Sequence, residues 1–234
     1  MNNSSIVFRQ LFESVSCTYT YIVGCAQTRV AVIIDPVLET VERDAQLIKE
    51  LDLDLRFGLN THVHADHITG TGALAKMFPK MKTGISEAAR EAKADLYLAH
   101  LDKIRLGKLA LECRHTPGHT DGCASYFLAS EGMIFTGDAL FHRGCGRTDF
   151  QQGDSGDLYD SVWGQVLSLP ENTVVFPGHD YKGHMATTVV EEKRFNPRMT
   201  LSREKFIQFM KDLKLDYPKQ IDRALPANLK NGEI

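Results

Sequence analysis

Thr61-His62-Val63-His64-Ala65-Asp66-His67 places three imidazoles and a carboxylate within six residues, His62 to His67. Imidazole is costly to bury unpaired, and four such groups together would need many separate partners. A divalent cation partners several of them at once. The chain has nine histidines and three of them fall here, so the stretch reads as a metal-binding loop. It follows a short apolar run, residues 55–59, that leads into Asn60 and Thr61. A polar cluster at the carboxyl end of a buried strand is where open α/β sheets bind their ligands.

Outward from this loop, Pro117-Gly118-His119-Thr120 and Pro177-Gly178-His179-Asp180 repeat one pattern. Each follows a predicted strand, and its Pro-Gly turn would hold the histidine at a sheet edge. Asp138, in Phe135-Thr136-Gly137-Asp138-Ala139, ends the most apolar strand of its half of the chain. A carboxylate there needs a strong partner, and a metal supplies one. His100, His115, His142 and His184 have no comparable surroundings and read as surface or structural residues.

The remaining pattern predicts an α/β protein. Residues 19–23 and 29–34 are rich in β-branched and aromatic residues, and Asp35-Pro36 closes the second strand. Thr40 is a plausible helix N-cap, followed by Val41, Ala45 and Ile48 at helical spacing. Further helices are expected over 71–78, 87–93, 158–167, 187–195 and 204–213, and strands over 104–114, 124–128, 133–136 and 173–176. This order suggests two sheets back to back with helices outside. With no Pro-, Gly- or Ser-rich linker, residues 1–234 read as one domain with a short C-terminal helical extension from about 197 to 234.

Composition narrows the class. The chain has 234 residues, 43% hydrophobic and 24% charged, enough for a sizeable core without the marks of disorder. A net charge of −3, with no basic cluster, gives no support for a nucleic-acid partner. Cys17, Cys25, Cys113, Cys123 and Cys145 form no CxxC pair, and their odd number suits a reducing compartment. The N-terminus lacks an apolar signal region, and no segment nears the roughly 20 apolar residues that span a bilayer. A cytoplasmic protein is expected, or a matrix one if the chain is eukaryotic and processed.

HxHxDH, then PGH, GDA and a final PGH, is the motif order of the metallo-β-lactamase superfamily, and the chain resembles it through nearly its whole length. That resemblance implies an αββα sandwich of two mixed β-sheets flanked by helices, with metal at one edge between the sheets. Two activities compete. A glyoxalase II-like hydroxyacylglutathione hydrolase would use two metals, with His62, His64 and His119 on one, Asp66, His67 and His179 on the other, and Asp138 between. The chain is more similar to the persulfide dioxygenase family. Four stretches carry that likeness: Thr18-Tyr19-Thr20-Tyr21, the eleven residues 143–153 (RGCGRTDFQQG), His179-Asp180-Tyr181-Lys182-Gly183, and the tail from Asn196-Pro197-Arg198 to Leu225-Pro226-Ala227-Asn228. The tail is short for glyoxalase II, which adds a longer helical segment, whereas one helix is expected here after Pro197.

Membership of that family implies one Fe(II) per chain held by His62, His119 and Asp138. Two histidines and a carboxylate leave about three positions open on an octahedral ferrous ion, as oxygen chemistry requires. His64, Asp66, His67 and His179 would then orient the ligands and support bound water. The implied reaction takes glutathione persulfide, O2 and water to sulfite and glutathione. Arg147 is the foremost candidate for the substrate's carboxylates, with an Arg147–Asp149 or Arg147–Asp180 pair as the competing role. Tyr181 and Lys182 are further candidate contacts. Cys145 is expected to be structural or redox-sensitive, not nucleophilic. Family members are often dimers, so a homodimer is a further expectation. A non-catalytic metal-binding protein does not suit a ligand set with vacancies. Related nucleases carry an added domain and basic surfaces that this sequence lacks.

Overall fold

The β-branched and aromatic residues collect in two six-stranded sheets in the computed structural model, which describes residues 5–233. Residues 1–4 of the N-terminal reading, and both expected domain limits, lie outside the described residues. The first sheet runs in chain order: β1 (Ile6–Glu13), β2 (Thr18–Cys25), β3 (Val30–Ile34), β4 (Asp54–Leu59), β5 (Lys82–Ser86) and β6 (Leu96–Leu98). It is antiparallel from β1 to β3 and parallel from β3 to β6. The second contains β7 (Lys103–Leu106), β8 (Leu109–His115), β9 (Ala124–Leu128), β10 (Met133–Gly137), β11 (Val174–Pro177) and β12 (Thr187–Thr188), again in order. Only its β10–β11 pair is parallel.

Strand alternation places one apolar face of each sheet against the other. Tyr21, Val23, Ile34 and Leu59 meet Leu111, Tyr126, Phe135 and Phe176 in a shared core. The outer faces are covered by helices. Val41, Ala45 and Ile48 of α1 (Val41–Glu50), with Leu74 of α2 (Thr71–Met77), cover Ile22, Ile33 and Leu55. Leu158 of α3 (Ser155–Ser161), Val189 of α4 (Val189–Phe195) and Phe206 of α5 (Arg203–Asp212) cover Phe127, Ile134 and Val175. These are the helix-flanked mixed sheets that the sequence implied.

Several elements differ from expectation. Residues 104–114 form a hairpin, not one strand, because Gly107 turns the chain at φ +62°. The helix expected over 87–93 shrinks to one 3-10 turn, Glu87–Ala89. That of 158–167 is α3 followed by a π-helical turn, Val162–Val166. Residues 187–188 form an edge strand ahead of α4. Thr40 does not cap α1 through its side chain; its hydroxyl donates to the Val37 carbonyl. A second helix follows Pro197: α6 (Ile221–Asn228), with Pro226 inside it. It packs Ala224 and Ala227 against Ile68, directly behind the HxHxDH loop.

Candidate metal centre

β4, β8, β10 and β11 end on one edge of the sandwich and deliver His62, His119, Asp138 and His179 there. Backbone bonds join the two sheets at this edge, with Ala124 N donating to Thr61 O and Tyr19 N to Gly178 O, each at 2.8 Å. The HxHxDH loop is gripped from both sides. Asp35, held at φ +48°, accepts from the Thr61 amide at 2.7 Å and the Thr61 hydroxyl at 2.9 Å. From behind, Asn228 Nδ2 donates to the His64 and His67 carbonyls, and its Oδ1 accepts from the Thr69 amide, all at 2.8 Å.

These contacts set the imidazole tautomers, because the nitrogen that donates leaves the lone pair on the other. The Thr61 hydroxyl gives its proton to Asp35, so at 3.0 Å it accepts from His62 Nδ1, and His62 Nε2 keeps the lone pair. His119 Nδ1 donates to the Arg147 carbonyl at 2.7 Å, freeing His119 Nε2, which lies 3.5 Å from Asp138 Oδ2. Ligand atoms of His62, His119 and Asp138 fall within 4.8 Å of one another, and those of His64, Asp66 and His67 form a second such group. His64 Nε2 faces Asp35 Oδ1 at 3.0 Å, leaving Nδ1 free. His179 Nε2 stands 3.4 Å from Asp138 and 3.5 Å from Asp66.

Three buried atoms here, His64 Nδ1, His67 Nε2 and Asp138 Oδ1, have no hydrogen-bond partner. Such atoms carry a desolvation penalty of about 1–3 kcal/mol each. One of them, Asp138 Oδ1, stands in the same donor group as the two oriented histidine lone pairs, and the other two belong to the neighbouring group, a division that fits a metal-binding edge. The charges agree. Burial, then His64 and His119, hold His62 well below the ordinary imidazole value, so it is neutral as a ligand must be. Burial opposes charge on His64 and His179 most strongly, but Asp35 with Asp66 and Asp138 at the first, and Asp138 and Asp66 with the Cys17 backbone and Asp35 at the second, together outweigh it, so both are raised. Burial would raise Asp66, yet His67 and His179 hold it well below the carboxylate range.

The loop after Asp138 forms the wall of the site. The Gly146 amide donates to the Asp138 carbonyl at 2.8 Å, and a Cβ on Gly146 would lie 2.5 Å from that oxygen and 2.8 Å from His119 Nδ1. Only glycine permits this approach. Gly178 is similarly confined, since its Cβ would come within 2.6 Å of Asp138 Oδ1.

A cleft of about 1260 Å³ opens over His119, Asp138 and His179, with Arg147, Tyr181 and Lys182 also on its walls. Arg147 grips both Asp149 oxygens at 2.7 and 2.8 Å, donates to the Asp216 carbonyl at 2.8 Å and lies over the Phe150 ring. Tyr181 is 71% exposed, with its ring parallel to His179 at 6.1 Å between centroids. The Lys182 amide donates to Asp180. Cys145 is buried beside Arg198, and burial pushes its thiol up. His142 and His184 also line the cleft. Asp35, Asn228 and Gly146 have structural parts here that the sequence reading did not assign. Asp35-Pro36 and Pro226-Ala227-Asn228 were visible only as a strand end and a tail motif.

Residues 15–179 match the family model of the metallo-beta-lactamase superfamily. Over 231 residues the chain is 53% identical to the mitochondrial persulfide dioxygenase ETHE1 of Mus musculus, spanning 99% of this chain and 91% of the mouse protein. The crystal structure of ETHE1 from Myxococcus xanthus aligns with a TM-score of 0.92 at 50% identity, over 97% of this chain and 99% of that one. A probable hydroxyacylglutathione hydrolase of Schizosaccharomyces pombe is 35% identical, over 70% of this chain and 64% of the yeast protein. No helix among the described residues is long and apolar enough to cross a membrane.

Proposed function

The chain belongs to the persulfide dioxygenase family of the metallo-β-lactamase superfamily, and from that premise we propose that it oxidises glutathione persulfide, with O2 and water, to sulfite and glutathione at one ferrous ion. The observation that carries this reading is the pair of hydrogen bonds, from His62 to Thr61 and from His119 to the Arg147 carbonyl, that leave both Nε2 lone pairs free beside Asp138.

When bound by His62, His119 and Asp138, a ferrous ion supplies open neighbouring positions where O2 and the persulfide sulfur can meet. The chain's own residues do the rest. Asp35, acting through Thr61, holds the His62 ring, and the Arg147 carbonyl holds His119. His64, Asp66, His67 and His179 form a charged and hydrogen-bonding border that supports bound water. The exposed Tyr181 ring and Lys182 offer a face and a cation to the glutathione portion at the cleft wall. Arg147 contributes the same wall while its charge is shared with Asp149. Cys145, buried and with its thiol raised, packs the wall and does not attack.

The second donor group, His64, Asp66 and His67, makes a two-metal hydrolase the reading to test against. Oxygen-electrode assays on glutathione persulfide should show one O2 consumed per sulfite formed. Rapid S-lactoylglutathione hydrolysis with no oxygen uptake would sink the proposal. We treat residues 1–234 as one domain with its helical extension, and light scattering of the purified protein tests the expected homodimer.

A further inference from the structure

His142, Asp180 and His184 present one ligand atom each within 4.8 Å of one another, a third group apart from the two at the HxHxDH edge. They come from two loops. His142 lies four residues beyond Asp138, in the loop after β10, while Asp180 and His184 belong to the loop after β11. The two imidazoles stack, 4.0 Å between centroids and 19° from parallel, so their in-plane lone pairs run side by side and one ring turns about its side-chain torsions for both to meet a single ion. Asp180 is 7% exposed and fixed in orientation, because its Oδ1 accepts the amides of Lys182 and His184, both at 2.7 Å. That leaves Oδ2 toward His184 Nδ1, at 3.2 Å. Donor atoms around a tetrahedral ion with bonds of about 2.0–2.1 Å stand about 3.4 Å apart, so this spacing already suits two ligands of one cation.

Local charge also permits a cation. After burial and His184, Arg143 also acts on His142 and disfavours its protonated form, while its guanidinium is paired with Glu192 and Glu191. All three side chains line the cleft that contains His119 and Asp138, so an ion could reach them from solvent.

We propose that His142, Asp180 and His184 form an accessory site for a borderline divalent cation such as Zn2+, separate from the central donors and facing the same cleft. Two imidazoles and a carboxylate without thiolate suit zinc and its neighbours in the first transition row better than calcium or magnesium. A bound ion ties the loop after β10 to the loop carrying His179 and Tyr181. Its remaining coordination positions are open to water, or to a thiolate or carboxylate lying in the cleft.

The test is a Zn2+ titration of the iron-loaded protein against a chromophoric chelator, with iron measured on the same samples. The wild type should take up one zinc beyond its iron. His142→Ala and His184→Ala should each bind that zinc at least about tenfold more weakly while keeping their iron, and His67→Ala should retain the extra zinc. Asp180 is left intact, since its Oδ1 holds the loop. Retained iron reports that the variants fold and separates this result from any failure of the proposed activity. No extra zinc in the wild type would overturn the proposal, as would its persistence in both variants or stoichiometric loss of iron as zinc enters. Loss of the extra zinc in His67→Ala would assign it to the HxHxDH cluster and overturn the proposal too.

Discussion

Asn228→Ala is the most informative substitution away from the metal ligands themselves. Asn228 is 4% exposed and makes three 2.8 Å bonds, two to the carbonyls of His64 and His67 and one from the Thr69 amide. Each is worth about 1 kcal/mol net, and alanine strands three buried backbone groups that water regains only in part. The expected loss is therefore about 3 kcal/mol. For a chain of this size that lowers the melting temperature of the metal-free protein by about 6–12 °C. Loosening the loop that carries His62 should also weaken iron binding by about tenfold or more, the usual cost of removing support behind a ligand. The assays are a thermal melt of the apoprotein and an iron-binding titration. Asn228→Asp sharpens the result, because it preserves volume and the acceptor for Thr69 but sets a carboxylate against two carbonyls. It should be no better than alanine. A melting temperature within about 2 °C of wild type, with unchanged iron affinity, would refute the idea that α6 holds the metal loop in place.

Gly146→Ala forces a methyl group against the Asp138 carbonyl and the His119 ring. It should cost about 1–3 kcal/mol and weaken iron binding at least about tenfold; an unaffected titration would contradict the close packing. Arg147→Ala should raise KM for glutathione persulfide several-fold with little change in kcat, whereas an unchanged KM with a lowered melting temperature would confine Arg147 to its pairing with Asp149. Stripping the iron should lower the melting temperature by about 5–10 °C relative to protein with free iron at a hundredfold excess over Kd, from roughly 2.7 kcal/mol of linkage. Identical melts would mean that the ion is not bound by the folded state.

What could be read in the sequence was what is local. Histidines at 62, 64 and 67, the two Pro-Gly-His turns and an aspartate ending an apolar strand announce themselves through spacing and cost of burial. Most core strands followed from β-branched and aromatic runs, but β5, interior to the first sheet, was missed because Lys-Thr-Gly-Ile-Ser holds too few of them. The supports of the site are not local. Asn228 lies 164 residues from His64 in the chain, and no periodicity connects them. Asp35 marked only a strand end, although its two oxygens set the orientation of both His62 and His64. α6 was hidden because Pro226 sits inside it, removing a backbone donor where a helix signal is normally sought. β1 and β6 escaped because they lie at the two edges of the first sheet, where half-buried positions weaken the pattern. The pair His142 and His184, 42 residues apart, acquires meaning only when two loops meet.

The measurement that bears most directly on the account is metal content per chain in the wild type, Asp138→Ala and His67→Ala, purified identically and assayed alongside for oxygen uptake on glutathione persulfide. About one iron per chain is expected in the wild type, almost none with no activity in Asp138→Ala, and most of the iron retained in His67→Ala. Two metals per wild-type chain, or equal metal loss in the two variants, would contradict a single-iron site.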